Sequence, residues 1–378
     1  MLLPKLPLRP TKLFASATPP LFSTSSPPPP SPPPPPLKLP KPPLFLRPLI
    51  SSATPTSLHS FHSWAKSLAL STPPDDPDPL DPNLLLRELQ WLLQDATGDV
   101  GRSQNPDLVP LRADLGDLYG LWRERVLERR PFQYVVGCEH WRDLVLWVGE
   151  GVLIPRPETE VVVDLVKEVV IGRSGRGDGE EVWADLGTGS GAIAVGMGGV
   201  VGERGRVVAT DLSEVAVEVA RFNVERYGLK ESILELKAYE GLTRVLVNWL
   251  APWDKVQIRQ GSWFEPLEDV KGKLTGLVSN PPYIPSRNLP GLQAEVGRYE
   301  PKLALDGGKS GMDHLIHLCE GSVSYLKPGG FFAFETNGDE QSEFLVDFMV
   351  SKLENNFRDV KAVADFAVIK RFVTGFRS

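Results

Sequence analysis

The protein has 378 residues, of which 41% are hydrophobic and 24% charged, too much apolar material for a disordered chain and enough for a sizeable core. Residues 1–82 contain 24 of the 37 prolines, and residues 1–74 carry seven basic side chains and no acidic ones. Residues 75–378 then hold 34 bases and 48 acids, a net charge of −14, which is poorly suited to binding long nucleic acids by bulk electrostatics.

The first 74 residues have the composition of an organelle transit peptide. They are basic, rich in Ser, Thr and Pro, and interrupted by proline runs at 27–30 and 32–36 that cannot join a packed core. We predict a disordered leader that is removed at a site between about residues 60 and 75. Its low Arg content favours a chloroplast over a mitochondrion as the destination. The alternative is a proline-rich linker that stays on the mature protein.

Apolar residues at helical spacing follow, from about residue 57 to residue 130. Asp81-Pro82 is a typical helix start, and we assign residues 75–131 to a small helical domain. The stripes that predict its helices are Leu85, Leu86, Leu89, Leu92 and Leu93, and then Leu118, Leu121, Trp122 and Val126.

Residues 132–155 alternate apolar and polar positions between glycines, which predicts a β-hairpin linker. From residue 156 to residue 378, short apolar strands alternate with amphipathic helices. This pattern predicts an α/β fold, a doubly wound parallel sheet with its ligand site at the carboxyl ends of the strands. The predicted strands are 182–185, 206–211, 255–259, 274–280 and 331–335, and two of the predicted helices are 213–227 and 312–326.

A glycine-rich turn follows the first of these strands. Three alternate glycines let the backbone turn sharply and approach a ligand closely, and Asp211 ends the next strand, where an acid can accept hydrogen bonds from ribose hydroxyls. The third glycine comes one residue too early for the dinucleotide fingerprint, so the turn favours a nucleoside ligand without a pyrophosphate. The turn reads Asp185-Leu186-Gly187-Thr188-Gly189-Ser190-Gly191.

The sharpest motif in the chain is Asn280-Pro281-Pro282-Tyr283, at the end of the fourth strand. The prolines keep carbonyl groups out of a β-ladder and available as acceptors. The Asn280 side-chain oxygen and the Pro281 carbonyl can accept both hydrogens of a planar NH2 group, and Tyr283 offers a ring face to pack against it. The motif therefore predicts a site for an amide or an exocyclic amine.

Together these motifs resemble those of S-adenosylmethionine-dependent amino-methyltransferases, and most closely those of the HemK/PrmC family, the bacterial-type peptide chain release factor glutamine methyltransferases. The resemblance covers about residues 80–378. The further motifs that carry it are Pro131-Phe132-Gln133-Tyr134-Val135-Val136-Gly137, Leu153-Ile154-Pro155-Arg156-Pro157-Glu158-Thr159-Glu160, Tyr299-Glu300-Pro301 and Ala304-Leu305-Asp306-Gly307-Gly308.

The resemblance implies a class I methyltransferase with a Rossmann-like sheet, which moves a methyl group from S-adenosylmethionine to the N5 amide of a glutamine in an organellar release factor. It implies that Asp211 holds the cofactor's ribose and that Trp263 lies beside its adenine. Residues 156–160, among them Arg156 and Glu158, would line the substrate side, the helical domain at 75–131 would recognise the substrate, and no metal is implied. The methionine part would lie on Gly187, Thr188, Gly189, Ser190 and Gly191, and the acceptor glutamine on Asn280, Pro281, Pro282 and Tyr283. Of these, Asn280 would also contact the cofactor.

Three departures from the family pattern affect what the resemblance implies. Residues 231–253 look like an insertion before the third strand. Ser262 stands where the family usually has Asp, which removes an expected adenine contact. Thr336-Asn337-Gly338 replaces the usual Ile-Gly after Glu335, a change whose effect we expect to be structural.

Two other candidate sites are weaker. His314 and His317 lie three residues apart on a predicted helix, but no Cys or acid at ligand spacing supports a metal site. Ser190 lies in the glycine-rich turn, yet no nucleophile elbow with ordered His and acid partners follows.

Alternative functions share some of these features. An N6-adenine methyltransferase could use the Asn-Pro-Pro-Tyr motif, but the charge of −14 and the lack of a basic recognition module argue against DNA or RNA. Methylation of a ribosomal protein glutamine is a nearer alternative. A non-catalytic nucleoside-binding protein would not need the intact motif.

We expect a monomer with a protein substrate, no nucleic acid partner and no membrane partner. No stretch approaches the ~18 apolar residues of a membrane helix. Two cysteines, Cys138 and Cys319, indicate a reducing compartment.

Overall fold

The structure is a computed structural model that describes residues 39–71, 78–97, 107–173, 180–229 and 255–378. The first 38 residues of the predicted leader and the predicted insertion at 231–253 lie outside the described residues.

Within the described residues, three α-helices and a two-stranded ladder form the N-terminal domain. Helix α2 begins as predicted, because the Asp81 carboxylate accepts a hydrogen bond of 2.9 Å from the Asn83 amide. The predicted leucine stripes pack into one core around Trp122, whose indole nitrogen donates to the Ala65 carbonyl. The elements are β1 (Ser51–Ala53), α1 (Pro55–Ala69), α2 (Pro82–Ala96), β2 (Val109–Leu111) and α3 (Leu115–Val126).

The folded chain begins earlier than the sequence predicted. Leu44, Phe61 and Ala65 are fully buried in the N-terminal core, and Thr54 caps α1 by accepting a hydrogen bond from the Ser57 amide. The prediction of a disordered leader through residue 74 is therefore wrong for residues 44–69. Depletion of acids marks a targeting segment, but it does not prevent an apolar helix face from packing.

Residues 40–47 connect the N-terminal domain to the rest of the chain. The Lys41 carbonyl accepts a hydrogen bond of 3.0 Å from the Trp147 indole nitrogen, and a Cβ atom at Gly149 would overlap with Pro40. The Arg226 guanidinium lies 5.1 Å from the Phe45 ring centre. This segment is therefore part of the folded protein.

Replacing Leu44 with Ala should lower the free energy of unfolding by about 2–3 kcal/mol, because it leaves a cavity in the N-terminal core. Leu46 is 42% exposed, so Leu46→Ala is the matched control and should change stability by less than about 0.5 kcal/mol. Urea unfolding of both variants measures the difference. Equal stabilities would mean that residues 40–47 do not contribute to the core.

The linker contains the predicted hairpin, preceded by a short helix that was not predicted. Strands β3 and β4 pair antiparallel, with Cys138 opposite Trp147. The elements are α4 (Phe132–Val136), β3 (Cys138–Trp141) and β4 (Leu144–Trp147).

The second domain is the predicted α/β domain, and all five predicted strands are present within a few residues of their predicted bounds. Its elements are α5 (Glu160–Arg173), β5 (Glu181–Leu186), α6 (Ala192–Gly198), β6 (Gly205–Asp211), α7 (Glu214–Arg226), β7 (Val256–Gln260), β8 (Leu274–Ser279), α8 (Ala294–Tyr299), α9 (Asp313–Tyr325), β9 (Leu326–Glu335), α10 (Asp339–Ser351), β10 (Phe357–Ala364) and β11 (Lys370–Arg377).

These strands form one sheet in the order β10-β11-β9-β8-β5-β6-β7. Strands β5 to β9 are parallel, and β11 is antiparallel to both of its neighbours. The antiparallel pair β10 and β11 was not predicted, because charged residues such as Arg358, Asp359 and Lys361 obscure the alternation in β10. One face of the sheet packs against α5, α6 and α7, and the other against α9 and α10.

The strand order reverses between β5 and β8, since the chain moves outward from β5 to β7 and then returns to β8 on the other side. Ligands of doubly wound sheets bind at such a switch point, outside the carboxyl ends of the strands. The glycine-rich turn follows β5, and the Asn-Pro-Pro-Tyr motif follows β8. The topology therefore places the two sharpest sequence motifs side by side.

Candidate functional site

The turn after β5 is shaped by Gly187, Gly189 and Gly191, whose φ angles are 73°, 57° and 82°. A Cβ atom at Gly187 would lie 3.3 Å from the Trp263 ring, whereas a Cβ atom at Gly189 would meet nothing within 4 Å. The Gly187 amide donates to the Thr210 carbonyl at 2.9 Å, which ties the turn to β6. The turn is thus packed on one side and open on the other.

One buried carboxylate, Asp185, and one half-buried carboxylate, Asp211, hold this turn. Asp185 accepts a hydrogen bond of 2.6 Å from the Thr188 hydroxyl, and burial raises the pKa of Asp185 to about 7. Each oxygen of Asp211 accepts a backbone amide at 2.8 Å, one from Gly189 and one from Ser213. Burial raises the pKa of Asp211, and these amides oppose that shift. Asp211 therefore shapes the turn as well as facing the site.

A cavity of about 160 Å³ opens beside the turn. It combines the Asp211 carboxylate, the Trp263 ring, apolar walls from residues such as Leu212 and Ile193, and a backbone turn without side chains at Gly187 and Gly189. Such a surface fits a nucleoside with a short polar tail, as S-adenosylmethionine has. The predicted site residues that line it are Gly187, Thr188, Gly189, Ser190, Asp211, Trp263, Asn280 and Pro282.

The structure places five other predicted residues away from the cavity lining, namely Gly191, Pro281, Tyr283, Arg156 and Glu158. Gly191 instead lies against α7, where a Cβ atom would come within 3.2 Å of Ala220. Pro281 is buried behind the lining and Glu158 is half-buried.

Asn280 and Tyr283 face different partners. The Asn280 side-chain nitrogen donates to the Thr159 hydroxyl oxygen at 3.1 Å. The Tyr283 hydroxyl donates to Glu335 at 3.2 Å, and burial is the largest of the effects that raise the pKa of Tyr283. The sequence predicts a ring face for the acceptor, and the half-buried Tyr283 ring packs beside the core that includes α9 and α10.

Arg156, which was predicted to line the substrate side, forms an ion pair with Glu300. Its guanidinium lies 2.5 Å from Glu300, whose side chain is 1% exposed and also accepts the Ile154 amide at 3.2 Å. Burial raises the pKa of Glu300, and Arg156 opposes the rise. The pair joins the start of the second domain to the segment after α8.

Replacing Arg156 with Leu should lower the free energy of unfolding by about 2 kcal/mol at pH 8, because it leaves the buried Glu300 charge unpaired. Without Arg156, the pKa of Glu300 in the folded protein rises further above its unfolded value of about 4.3. An acid of this kind contributes more stability at low pH and loses it as the pH rises through its folded pKa. The decrease in the free energy of unfolding caused by Arg156→Leu should therefore be smaller at pH 5 than at pH 8.

Adding Glu300→Gln to this variant should restore much of the stability at pH 8, because no charge is then buried. Arg206→Leu is the control, since its partner Glu180 is 49% exposed, and it should cost less than about 1 kcal/mol at every pH. Urea unfolding at pH 5 and pH 8 measures the stability of Arg156→Leu, of the double variant and of Arg206→Leu. A loss for Arg156→Leu that does not change with pH would contradict this account.

Several cavity residues were not predicted to belong to the site. These include Pro301, Leu303 and Ala304, whose segment only the tertiary structure brings over the site. Thr159 also lines the cavity, and it belongs to the range 156–160 that was predicted to line the substrate side. Ser262, the departure from the family pattern, lines the cavity.

The two histidines that were weighed as metal ligands pack against aromatic rings. The ring centres of His314 and Trp263 are 5.3 Å apart, and those of His317 and Phe264 are 5.7 Å apart. Across the described ranges, no group of three or more His, Cys, Asp or Glu side chains is arranged to hold a metal ion.

The N-terminal domain contacts the segment that leads to Pro301, Leu303 and Ala304. Glu295, on α8, accepts hydrogen bonds from Arg125 at 3.1 Å and from Arg129 at 2.9 Å. Arg125 is itself paired with the buried Glu88 at 2.7 Å. The Tyr299 hydroxyl donates to the Glu128 carbonyl at 2.8 Å. The helical domain thus supports one wall of the cavity.

None of the helices within the described ranges has both the length and the apolar composition of a membrane span.

Comparisons with known proteins show which family the chain is related to. A family model for the ribosomal protein L11 methyltransferase (PrmA) matches residues 164–252. A release factor glutamine methyltransferase from Synechocystis is 38% identical over 293 residues, which cover 76% of this chain and 88% of that protein. Proteins of the same name are 37% identical in Thermosynechococcus vestitus, over 66% of this chain and 78% of theirs, and 35% identical in Gloeobacter violaceus, over 76% and 90%. The chain therefore belongs to the release factor glutamine methyltransferase family.

Proposed function

We propose that this protein transfers a methyl group from S-adenosylmethionine to the side-chain amide nitrogen, N5, of a glutamine in a peptide chain release factor. The observation that carries the proposal is the position of Asn280, which lines the same cavity as the glycine-rich turn and Asp211. The family supports the same substrate, because the relatives described above are named for it.

The residues of the site suit alignment of a weakly nucleophilic amide. The bound cofactor supplies an electrophilic methyl group, so positioning of the acceptor nitrogen accounts for much of the rate. The Asn280 side-chain oxygen accepts an amide hydrogen, and this hydrogen bond strengthens as positive charge develops on the nitrogen. The nitrogen becomes acidic once it is methylated, so attack needs no strong base beforehand.

A labelled-cofactor assay tests this function. The purified chain is incubated with methyl-labelled S-adenosylmethionine and a bacterial-type release factor, and with the same factor carrying Gln→Ala at the modified position. Label should appear on the unaltered release factor and not on its Gln→Ala variant. Mass spectrometry of the labelled peptide should place the methyl group on the glutamine. A ribosomal protein and an adenine-containing oligonucleotide serve as competing substrates, and faster labelling of either would refute the proposal.

We further propose that the protein acts as a monomer in an organelle, with a chloroplast favoured over a mitochondrion. The acid-free, proline-rich start of the chain supports the organelle. Because Lys41 and Leu44 belong to the folded protein, a removed leader should end before residue 40. Import into isolated chloroplasts and mitochondria, followed by N-terminal sequencing, tests both points. A mature protein that begins near Met1, or beyond residue 40, would contradict them. Sedimentation of the purified protein as a dimer would contradict the monomer.

A further inference from the structure

The turn after α3, at residues 128–130, contains a strained arginine. Arg129 has a φ angle of 63°, in the left-handed region that glycine adopts without strain. Glycine would lack the Arg129 guanidinium, which donates to both Glu295 carboxylate oxygens and to the Asp78 carboxylate, at 2.9 Å in each case. Strained residues persist where the surrounding structure over-determines them, and they cluster at functional sites. The strain therefore points to a role for the Arg129 side chain.

The same turn contacts two parts of the chain that lead into the cavity lining. The Glu128 carbonyl accepts a hydrogen bond of 2.8 Å from the hydroxyl of Tyr299, the last residue of α8. Helix α8 leads into residues 301–304, which we call the wall segment because three of them line the cavity. The Arg130 guanidinium lies 3.1 Å from the Glu150 carboxylate, and the residue after Glu150 also lines the cavity. The turn therefore connects the helical domain to the cavity at two points.

Helix α8 depends on the helical domain for its position. It has six residues, too few for a helix that is stable on its own. Glu295, its second residue, accepts hydrogen bonds from Arg125 at 3.1 Å and from Arg129 at 2.9 Å. Glu300, the residue after α8, gives the wall segment a second anchor through its ion pair with Arg156. Loss of the Arg129 guanidinium should therefore loosen the wall segment without releasing it.

We propose that Arg129 is a positioning residue, which holds α8 and the wall segment in the arrangement that binds S-adenosylmethionine. Arg129 lies outside the cavity lining, and it acts only through Glu295 and α8. A wall that is in place before the cofactor arrives strengthens binding, because apparent affinity falls when only a fraction of the free molecules has the binding arrangement. The inference does not depend on a release factor as the acceptor, since cofactor binding is measured without one.

The experiment compares Arg129→Gly, Arg129→Lys and Glu295→Gln with the control Asp359→Gly. Glycine removes the guanidinium but adopts the left-handed backbone, so relief of strain partly offsets the lost hydrogen bonds. Lysine keeps the positive charge but cannot form the two-pronged contact with a carboxylate. Asp359 is the matched control, because its φ angle is 55°, it pairs with Arg358, and it lies on the edge strand β10 outside the cavity lining. Calorimetry measures cofactor Kd and Tm.

Arg129→Gly and Glu295→Gln should each raise the cofactor Kd by about 5- to 20-fold while Tm changes little, as expected if roughly a fifth to a twentieth of the free molecules keep the wall segment in place. Arg129→Lys should have an intermediate Kd. The double variant Arg129→Gly/Glu295→Gln should bind no more weakly than Glu295→Gln, because Arg129 acts through Glu295. Asp359→Gly should match the wild type. Wild-type Kd in both Arg129→Gly and Glu295→Gln, or an equal rise in Asp359→Gly, would overturn the inference.

A second readout follows the wall segment itself. The amides of Glu300 and Ala304 donate to backbone carbonyls at 3.0 and 2.9 Å, so their hydrogen exchange reports how often this part of the chain opens. In cofactor-free protein, mass spectrometry should show faster exchange of the peptide that contains both residues in Arg129→Gly than in the wild type, with unchanged exchange in β5. Unchanged exchange in both peptides would refute the inference. Failure of the wild type to methylate a release factor would refute the proposed function alone.

Discussion

Asn280→Ala should lower kcat for glutamine methylation by about 10²–10³-fold, because the acceptor amide loses the oxygen that aligns it as charge develops. Cofactor affinity should change little, since the glycine-rich turn and Asp211 lie on β5 and β6 rather than on β8. Asn280→Asp is the sharper variant. It keeps an acceptor oxygen but adds a negative charge to the cavity and can no longer donate to Thr159, so we expect tighter binding of the cationic cofactor with low turnover.

A purely structural role for Asn280 predicts a different outcome. If Asn280 only stabilised the Pro281-Pro282 turn, both variants would lower Tm and leave the turnover of each folded molecule intact. Measurements of kcat, cofactor Kd and Tm on both variants therefore separate the two roles. A stable Asn280→Ala protein with full turnover on a release factor would refute the mechanism.

Asp211→Ala should weaken S-adenosylmethionine binding by roughly 2–4 kcal/mol, equivalent to a rise in Kd of about 30- to 1,000-fold. The substitution removes two sets of hydrogen bonds. Asp211 is expected to accept hydrogen bonds from the ribose hydroxyls, and it also accepts hydrogen bonds from the Gly189 and Ser213 amides. Asp211→Asn keeps the shape but exchanges one acceptor oxygen for a donor, so its Kd should lie between those of the wild type and the Ala variant.

Isothermal calorimetry with S-adenosylmethionine measures these affinities. Asp164→Ala is the matched control, because its side chain is 46% exposed and pairs with Arg142 away from the cavity, and its Kd should equal that of the wild type. Unchanged affinity in Asp211→Ala would show that the ribose is held elsewhere.

Local sequence patterns predicted the parallel strands and the residues at their carboxyl ends. Period-two and period-3.6 apolar spacing is a local property, and parallel strands must share one edge where their ends meet. The glycine-rich turn, Asp211 and Asn280 could therefore be assigned to one site from the order of the strands along the chain. The same patterns missed β10 and β11, whose charged residues give weak alternation on a partly exposed edge.

Other features depended on contacts between distant parts of the chain. Composition assigned residues 44–69 to a leader, but Leu44 and Phe61 are buried by packing against α2 and α3, which no local pattern contains. Arg156 was expected to line the substrate side, and no local pattern indicated its ion pair with Glu300, 144 residues away in the sequence. The orientation of Asn280 has the same origin. Its residue type follows from the motif, but its side-chain nitrogen donates to the Thr159 hydroxyl oxygen, which lies 121 residues away in the sequence.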